Sequence, residues 1–389
     1  MELSERMSRL GTETAFEVLV KARAIEATGR EVIHLEIGEP DFNTPNYIVE
    51  AAIKALREGA HHYGPSAGIL VLREAIAEDC YKRRGLKVKP ENVVVTPGAK
   101  PIMFFVILAL VDPGDEVIYP NPGFPIYESM INYIGGKPIP IPLVEAKDFE
   151  LDVDQLISKI NDKTKLIILN SPQNPTGGVI SQEALAEIGK VAAERDIPVL
   201  SDEIYSRTLY EGEHYSIAQN PGMLEQTIIL DGFSKTYAMT GWRMGYGIMR
   251  EDLAEHIARL QTNSNSCTAT FTQVAGVTAL REEKTEVQEM GARFKQRRDF
   301  IVNGLNQIKG FSCTLPKGAF YVFPNITQTG WKSKPLADYL LEKAGVACLS
   351  GTAFGKFGEG YLRFSYANSR ENIAKALERI AQALAVAGR

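Results

Sequence analysis

Residues 227–249 read Thr-Ile-Ile-Leu-Asp-Gly-Phe-Ser-Lys-Thr-Tyr-Ala-Met-Thr-Gly-Trp-Arg-Met-Gly-Tyr-Gly-Ile-Met. Two short β-rich runs, Thr227–Leu230 and Tyr246–Met249, enclose a segment with Lys235 and, eight positions on, Arg243. Most lysines are solvated surface charges. Lys235 instead has Phe233, Tyr237, Met239 and Trp242 as near neighbours in the chain. Burial among such groups disfavours the ammonium and favours a nucleophilic amine able to form a Schiff base.

Outward from this segment the chain alternates between two periodicities. Val93–Thr96, Glu116–Tyr119, Leu166–Asn170 and Val199–Ser201 read as further strands. Amphipathic helices are expected between them at Gly98–Val111, Pro125–Gly135, Ser181–Arg195 and Asp252–Thr262. Such alternation predicts an α/β fold with a mostly parallel sheet covered on both faces. Upstream, Thr14–Thr28 has helical spacing, Val32–Ile37 reads as a strand, and Gly38–Phe42 breaks the pattern as a loop. Downstream, a long polar helical stretch from about Glu283 leads to strands near Phe311–Thr314, Ala319–Phe323, Val346–Leu349 and Tyr361–Ser365. A helix over Arg370–Ala387 closes the chain. The expected division is a segment 1–45 packing with a small C-terminal α+β domain, 286–389, and a large domain, 46–285, between them.

Composition excludes several classes of function. A chain of 389 residues fits two domains, and 44% hydrophobic with 23% charged residues is ordinary for a globular protein. A net charge of -5 gives no electrostatic reason to expect nucleic acid or an anionic membrane as partner. Cys80, Cys267, Cys313 and Cys348 are scattered, with no paired spacing and no histidine cluster beside them. Free thiols in a reducing compartment are expected, and no metal site. The charged start of the chain does not resemble a secretory leader. The longest apolar run, Ile102–Val111, is far shorter than the ~20 residues a membrane helix needs. The expectation is a soluble cytoplasmic protein.

Several polar residues stand where a strand gives way to a loop, the position at which α/β folds bind ligands. Asp202 follows the apolar run Pro198–Ser201, within Asp202-Glu203-Ile204-Tyr205. Ser171-Pro172-Gln173-Asn174-Pro175-Thr176-Gly177 follows the strand ending at Asn170, although turns of this composition are common. Thr96-Pro97-Gly98-Ala99-Lys100 passes from strand to helix, where backbone N–H groups and the helix dipole favour an anion. Phe124 lies in Asn121-Pro122-Gly123-Phe124-Pro125-Ile126-Tyr127. Arg363, in Tyr361-Leu362-Arg363-Phe364-Ser365-Tyr366-Ala367, has a planar fork suited to a carboxylate and apolar neighbours that favour its burial.

Together these runs resemble the class I/II aminotransferases of fold type I, in particular the prokaryotic aspartate/aromatic branch. The resemblance covers Gly38 to Arg363, and the segments D-E-x-Y and S-P-x-N-P-T-G match at 202–205 and 171–177. It implies a seven-stranded type of large-domain sheet and pyridoxal 5′-phosphate as cofactor. Lys235 would be the covalent anchor, and Asp202 the partner of the pyridine nitrogen. Tyr205 and Asn174 would contact the 3-oxygen, and Phe124 would cover the ring where many relatives have tryptophan or tyrosine. Gly98, Ala99, Lys100, Ser234 and Arg243 would form the phosphate cradle. Arg363, Asn174 and the Gly38 N–H would bind the substrate α-carboxylate. Tyr63, in Tyr63-Gly64-Pro65-Ser66-Ala67-Gly68, would reach the phosphate of a neighbouring subunit, which implies a homodimer with shared active sites.

The reaction implied is amino transfer between an L-amino acid and a 2-oxo acid, with Lys235, once freed, as general base. The resemblance makes Lys100 the reader of a side-chain carboxylate, with Thr12 and Thr14 assisting from the N-terminal segment, and so implies a dicarboxylate substrate (aspartate, glutamate, 2-oxoglutarate). A lysine in a helix's first turn is unfavourably placed against the dipole, which favours an anionic partner. Aromatic or broad specificity is the alternative, as is a C–S lyase or synthase on the same fold. A non-catalytic regulator would need a DNA-binding extension, and no basic helix-turn-helix pattern precedes residue 30.

Overall fold

The computed structural model describes residues 1–282 and 284–387. Glu283, where the sequence places the start of the long polar helix, lies outside the described residues; the helix runs over Glu286–Leu305.

In chain order the strands are β1 (Ile33–His34), β2 (Val93–Thr96), β3 (Glu116–Asn121), β4 (Lys137–Val144), β5 (Glu150–Leu151), β6 (Thr164–Asn170), β7 (Val199–Asp202), β8 (Thr227–Gly232), β9 (Gly245–Ile248), β10 (Tyr321–Val322), β11 (Val346–Ala347), β12 (Leu349–Ser350) and β13 (Leu362–Ser365). The large sheet has the order β2-β9-β8-β7-β6-β3-β4-β5. All its ladders between β8 and β4 are parallel; β9 runs antiparallel to both neighbours, and the two-residue β5 adds an eighth strand at the edge.

Each central strand is buried on both faces, which accounts for its unbroken apolar run. In β6, Leu166 and Ile168 point into one cluster while Ile167 and Leu169 point into another. Helices α4 (Lys100–Leu110), α5 (Pro125–Ile134) and α8 (Glu251–Asn265) supply the first cluster through Ile102, Val106, Tyr127, Met130 and Ile257. On the other face pack α2 (Asn46–Arg57), α3 (Leu70–Arg84), α7 (Gln182–Glu194) and α9 (Thr270–Arg281), through Ile48, Leu72, Ile188 and Ala275. Local signals fix the helix ends. Ser181 caps α7 by accepting from Ala184 N, Pro125 opens α5, and Gly135 closes it in the left-handed region at φ 88.

The C-terminal part builds its own core from α10 (Glu286–Leu305), the antiparallel set β10-β13-β12 and α12 (Arg370–Ala387), centred on Phe294, Phe320, Leu336, Phe364 and Ile373. The N-terminal β1 pairs in parallel with β11, and Ile33 and Leu35 join that core.

Helices α2, α3 and α9 and the strand β4 are among the elements absent from the sequence reading. In β4 every second residue is proline; Pro138, Pro140 and Pro142 pair with Val117, Tyr119 and Asn121 near the sheet edge, where missing N–H groups are tolerated. The expected strand at Phe311–Thr314 makes only an isolated bridge between Ser312 and Asn325. The strand expected at Val32–Ile37 shortens to Ile33–His34, because the chain leaves the ladder for the loop at Gly38.

Candidate active site

The parallel strands β6, β7 and β8 end in register, with Asn170 opposite Asp202 and Asp202 opposite Leu230. Beyond these carboxyl ends opens a cavity of about 550 Å3 that also takes in the C-terminal part through Tyr321 and Arg363. Lys235, Asp202, Asn174, Tyr205, Ser234, Arg243, Phe124, Ala99, Lys100, Gly38 and Arg363 all line it.

Lys235 follows β8 in a constrained loop. Ala238 and Arg243 both have φ of 52, a left-handed conformation that non-glycine residues seldom adopt. Its amine donates to Gly38 O at 2.6 Å and stands 5.9 Å from the Phe320 ring centroid. Burial pulls its pKa down to about 8, against the opposing pull of Glu39 and Glu13.

Asp202 is buried at the end of β7. Its carboxylate accepts from Tyr127 Oη at 2.5 Å and from Ile204 N at 3.2 Å. Burial raises its pKa to about 6, although both hydrogen bonds act in the other direction. Beside it, burial would also raise Glu203, yet Arg84 and His214 hold that carboxyl well below the ordinary range. Arg84 Nε donates to Glu203 at 2.8 Å and its Nη2 to Asp231 at 2.8 Å, so the floor beneath Asp202 is a buried, paired charge network.

The turn before α4 brings backbone against a guanidinium. Gly98 has φ 88, and a Cβ there would lie 2.2 Å from Arg243 Nη2. Arg243 donates to Thr240 O at 2.9 Å and Pro97 O at 3.3 Å, while Ser234 is buried nearby in the wall.

On the opposite side Arg363 is buried. It donates to Asn174 Oδ1 at 3.3 Å and to Glu36 O, and its guanidinium lies 4.5 Å from the Tyr321 ring. Its Nε is buried with no hydrogen-bond partner among the described residues. Tyr205 Oη and Tyr321 Oη share a hydrogen bond at 2.7 Å. At Gly38 a Cβ would meet Tyr321 Oη at 2.0 Å, so no larger residue fits there.

Thr12 and Thr14 do not line this cavity; Glu13 between them does, and its carboxylate accepts from Lys100 Nζ at 2.7 Å. Tyr63 lies away from it and is 89% exposed. Gly98 supports the wall from behind without lining it. Sequence reasoning missed Glu13, Tyr127 and Tyr321. Tyr127 meets Asp202 across 75 positions of chain, and no local pattern marks such a pairing.

This set fits pyridoxal 5′-phosphate. A buried carboxylate suits a protonated pyridine nitrogen, a glycine turn against a guanidinium suits a phosphate, and a lowered-pKa amine suits a carbonyl carbon. Arg363, with Nε unpartnered, suits a carboxylate. Among the described residues no group of His, Cys, Asp and Glu is placed to hold a metal, and no helix is long and apolar enough to cross a membrane.

Comparison with known proteins points the same way. Residues 30–380 match the family model described as aminotransferase class I and II. An aspartate aminotransferase of Pyrococcus abyssi is 42% identical over 92% of this chain and 93% of its own. An aromatic-amino-acid aminotransferase of Thermococcus litoralis is 39% identical over 99% of this chain and 98% of its own. Among solved structures, the Thermus thermophilus aspartate aminotransferase with maleate superposes with a TM-score of 0.95 at 37% identity, covering 98% of this chain and 100% of that one.

Proposed function

The chain belongs to the class I and II aminotransferase family, and from that premise we propose a role for each residue of the cavity and a preference for dicarboxylate substrates. The protein is a pyridoxal-phosphate-dependent aminotransferase. When bound, that cofactor supplies an electron sink for the carbanion formed as the substrate α-carbon loses its proton.

Lys235 would hold the cofactor covalently and, once its amine is free, would take up the proton from the substrate α-carbon. Asp202 would keep the pyridine nitrogen of the bound cofactor protonated, and Tyr127 orients that carboxylate. Arg243, Ser234 and the amides of Gly98, Ala99 and Lys100 hold the phosphate. Phe124 covers the ring, Tyr205 and Asn174 bind the 3-oxygen, and Arg363 with the Gly38 N–H grips the substrate α-carboxylate. Two half-reactions through one covalent carrier predict ping-pong kinetics.

A single observation carries this reading: an amine with a pKa near 8 shares one cavity with a buried carboxylate and a buried, incompletely paired guanidinium. Replacing Lys235 with alanine tests it. Borohydride reduction fixes the cofactor to the wild-type chain and leaves Lys235→Ala unlabelled, with turnover lost; a labelled variant places the covalent bond elsewhere.

Lys100 recognises the distal carboxylate in this reading, and the maleate held by the Thermus thermophilus relative, a dicarboxylate, supports the substrate class. Lys100→Ala should raise KM for aspartate far more than for phenylalanine; equal effects on the two would refute the assignment. Aromatic substrates are the second reading, favoured by Phe16, Ile37, Met103 and Phe124 in the cavity wall and by the Thermococcus litoralis relative. Pyruvate and ammonia as products would replace both readings with a lyase.

Tyr63 serves the phosphate of a second subunit in a proposed homodimer. The proposed compartment is the cytoplasm, where the unpaired thiols of Cys80, Cys267, Cys313 and Cys348 stay reduced.

A further inference from the structure

Glu13 occupies the N-cap position of α1 (Thr14–Glu26) yet makes no capping hydrogen bond. Its carboxylate extends instead into the cavity and accepts from Lys100 Nζ at 2.7 Å. Lys100 opens α4, where the helix dipole opposes its charge, so a carboxylate partner offsets an unfavourable placement. The same ammonium stands 5.4 Å from the Phe124 ring centroid, beside Met103 and Phe16. The pair therefore presents a neutralised end to an otherwise apolar wall.

We propose that Glu13 determines specificity by standing in for a substrate carboxylate on Lys100. This rests on Lys100 as the reader of the distal carboxylate. With an aromatic side chain in the pocket, Glu13 stays on Lys100 and the apolar wall is lined by a neutral pair rather than a bare cation. With an acidic side chain, the substrate's carboxylate takes the ammonium, and Glu13 turns aside because two carboxylates on one cation repel. Glu13 can leave at low cost. Its pair is partly exposed, and exposed ion pairs change equilibria by at most about fivefold. A modest penalty on dicarboxylates thus accompanies tolerance of aromatic substrates.

The test compares Glu13→Gln with wild-type holoenzyme. Succinate affinity, read by calorimetry, and KM for aspartate should each improve by roughly fivefold. The kcat for aspartate and the KM for phenylalanine should not improve. Glu17→Gln, an exposed carboxylate outside the cavity, controls for net charge and should leave all these values unchanged. Equal shifts for both substrates, or none for either, overturn the proposal. Lys100→Ala run in parallel separates the two claims. A selective aspartate defect there with a silent Glu13→Gln removes only the role of Glu13, whereas equal losses for aspartate and phenylalanine remove the Lys100 reading itself.

Discussion

Lys235 would ordinarily hold its proton up to about 10.5, and burial brings that value down to about 8. Below pH 8 the amine of the cofactor-free protein is mostly charged and cannot attack a carbonyl; above it the amine is neutral. Covalent capture of pyridoxal phosphate should therefore quicken through a midpoint near pH 8, measured by stopped-flow absorbance, and a midpoint near 10.5 would contradict the burial argument. Asp202 is shifted the opposite way, up to about 6, and the hydrogen bond from Tyr127 limits that rise. Tyr127→Phe should push Asp202 higher still, so that at pH 6 much of it is protonated and unable to balance a pyridinium. The deficit in kcat should be largest near pH 6 and shrink by pH 8. Cofactor affinity, read by equilibrium dialysis, should fall about tenfold, the scale of a hydrogen bond lost from a charged group. A pH-independent deficit would make Tyr127 merely a packing residue.

The turn between β2 and α4 shows the same economy one level up. Gly98 combines φ 88 with a guanidinium 2.2 Å from where a Cβ would stand, so Gly98→Ala must displace Arg243 or distort the turn. Cofactor retention should drop at least tenfold, with a stability loss on the order of 1 kcal/mol from the strained backbone, measured by thermal melting of the cofactor-free protein. An unchanged dissociation constant would detach Arg243 from the cradle. Such junctions were legible in the chain because strand ends announce themselves. Val93–Thr96 is buried, apolar and followed by Pro97-Gly98, and its observed span is the one its pattern implies. Helix α3 was less legible, since it carries buried Asp79 and Arg84 on its inner side and so lacks a clean apolar stripe. Asp79 pairs one turn away with Arg83, but Arg84 pairs with the distant Glu203 and Asp231, and such partners come from the tertiary fold alone. Glu13 escaped for a related reason: its partner Lys100 lies 87 positions away.

At the scale of the whole molecule, one feature stands outside the cavity. Tyr63 is 89% exposed, and Leu70, Val71 and Tyr81 are exposed close by in sequence, more apolar surface than one short stretch usually leaves in water. In the proposed homodimer a second copy covers this surface and Tyr63 meets its neighbour's phosphate cradle, and mixed dimers distinguish that arrangement from a self-sufficient chain. In a dimer of Lys235→Ala with Tyr63→Ala, the Lys235→Ala subunit has a dead site and donates an intact Tyr63 to the other. The other subunit keeps its own Lys235, so one site of the mixed dimer is complete. The mixed dimer, isolated from co-expressed variants carrying different affinity tags, should then have activity approaching half that of wild type, although Lys235→Ala alone is inactive and Tyr63→Ala alone retains its cofactor poorly. If Tyr63 served its own chain, the mixed dimer would contain one dead site and one weakened site, and activity would not exceed half that of Tyr63→Ala. Sedimentation of the wild-type protein over a dilution series supplies the second arm. A monomer that keeps full specific activity would show that each cavity needs nothing from a neighbour.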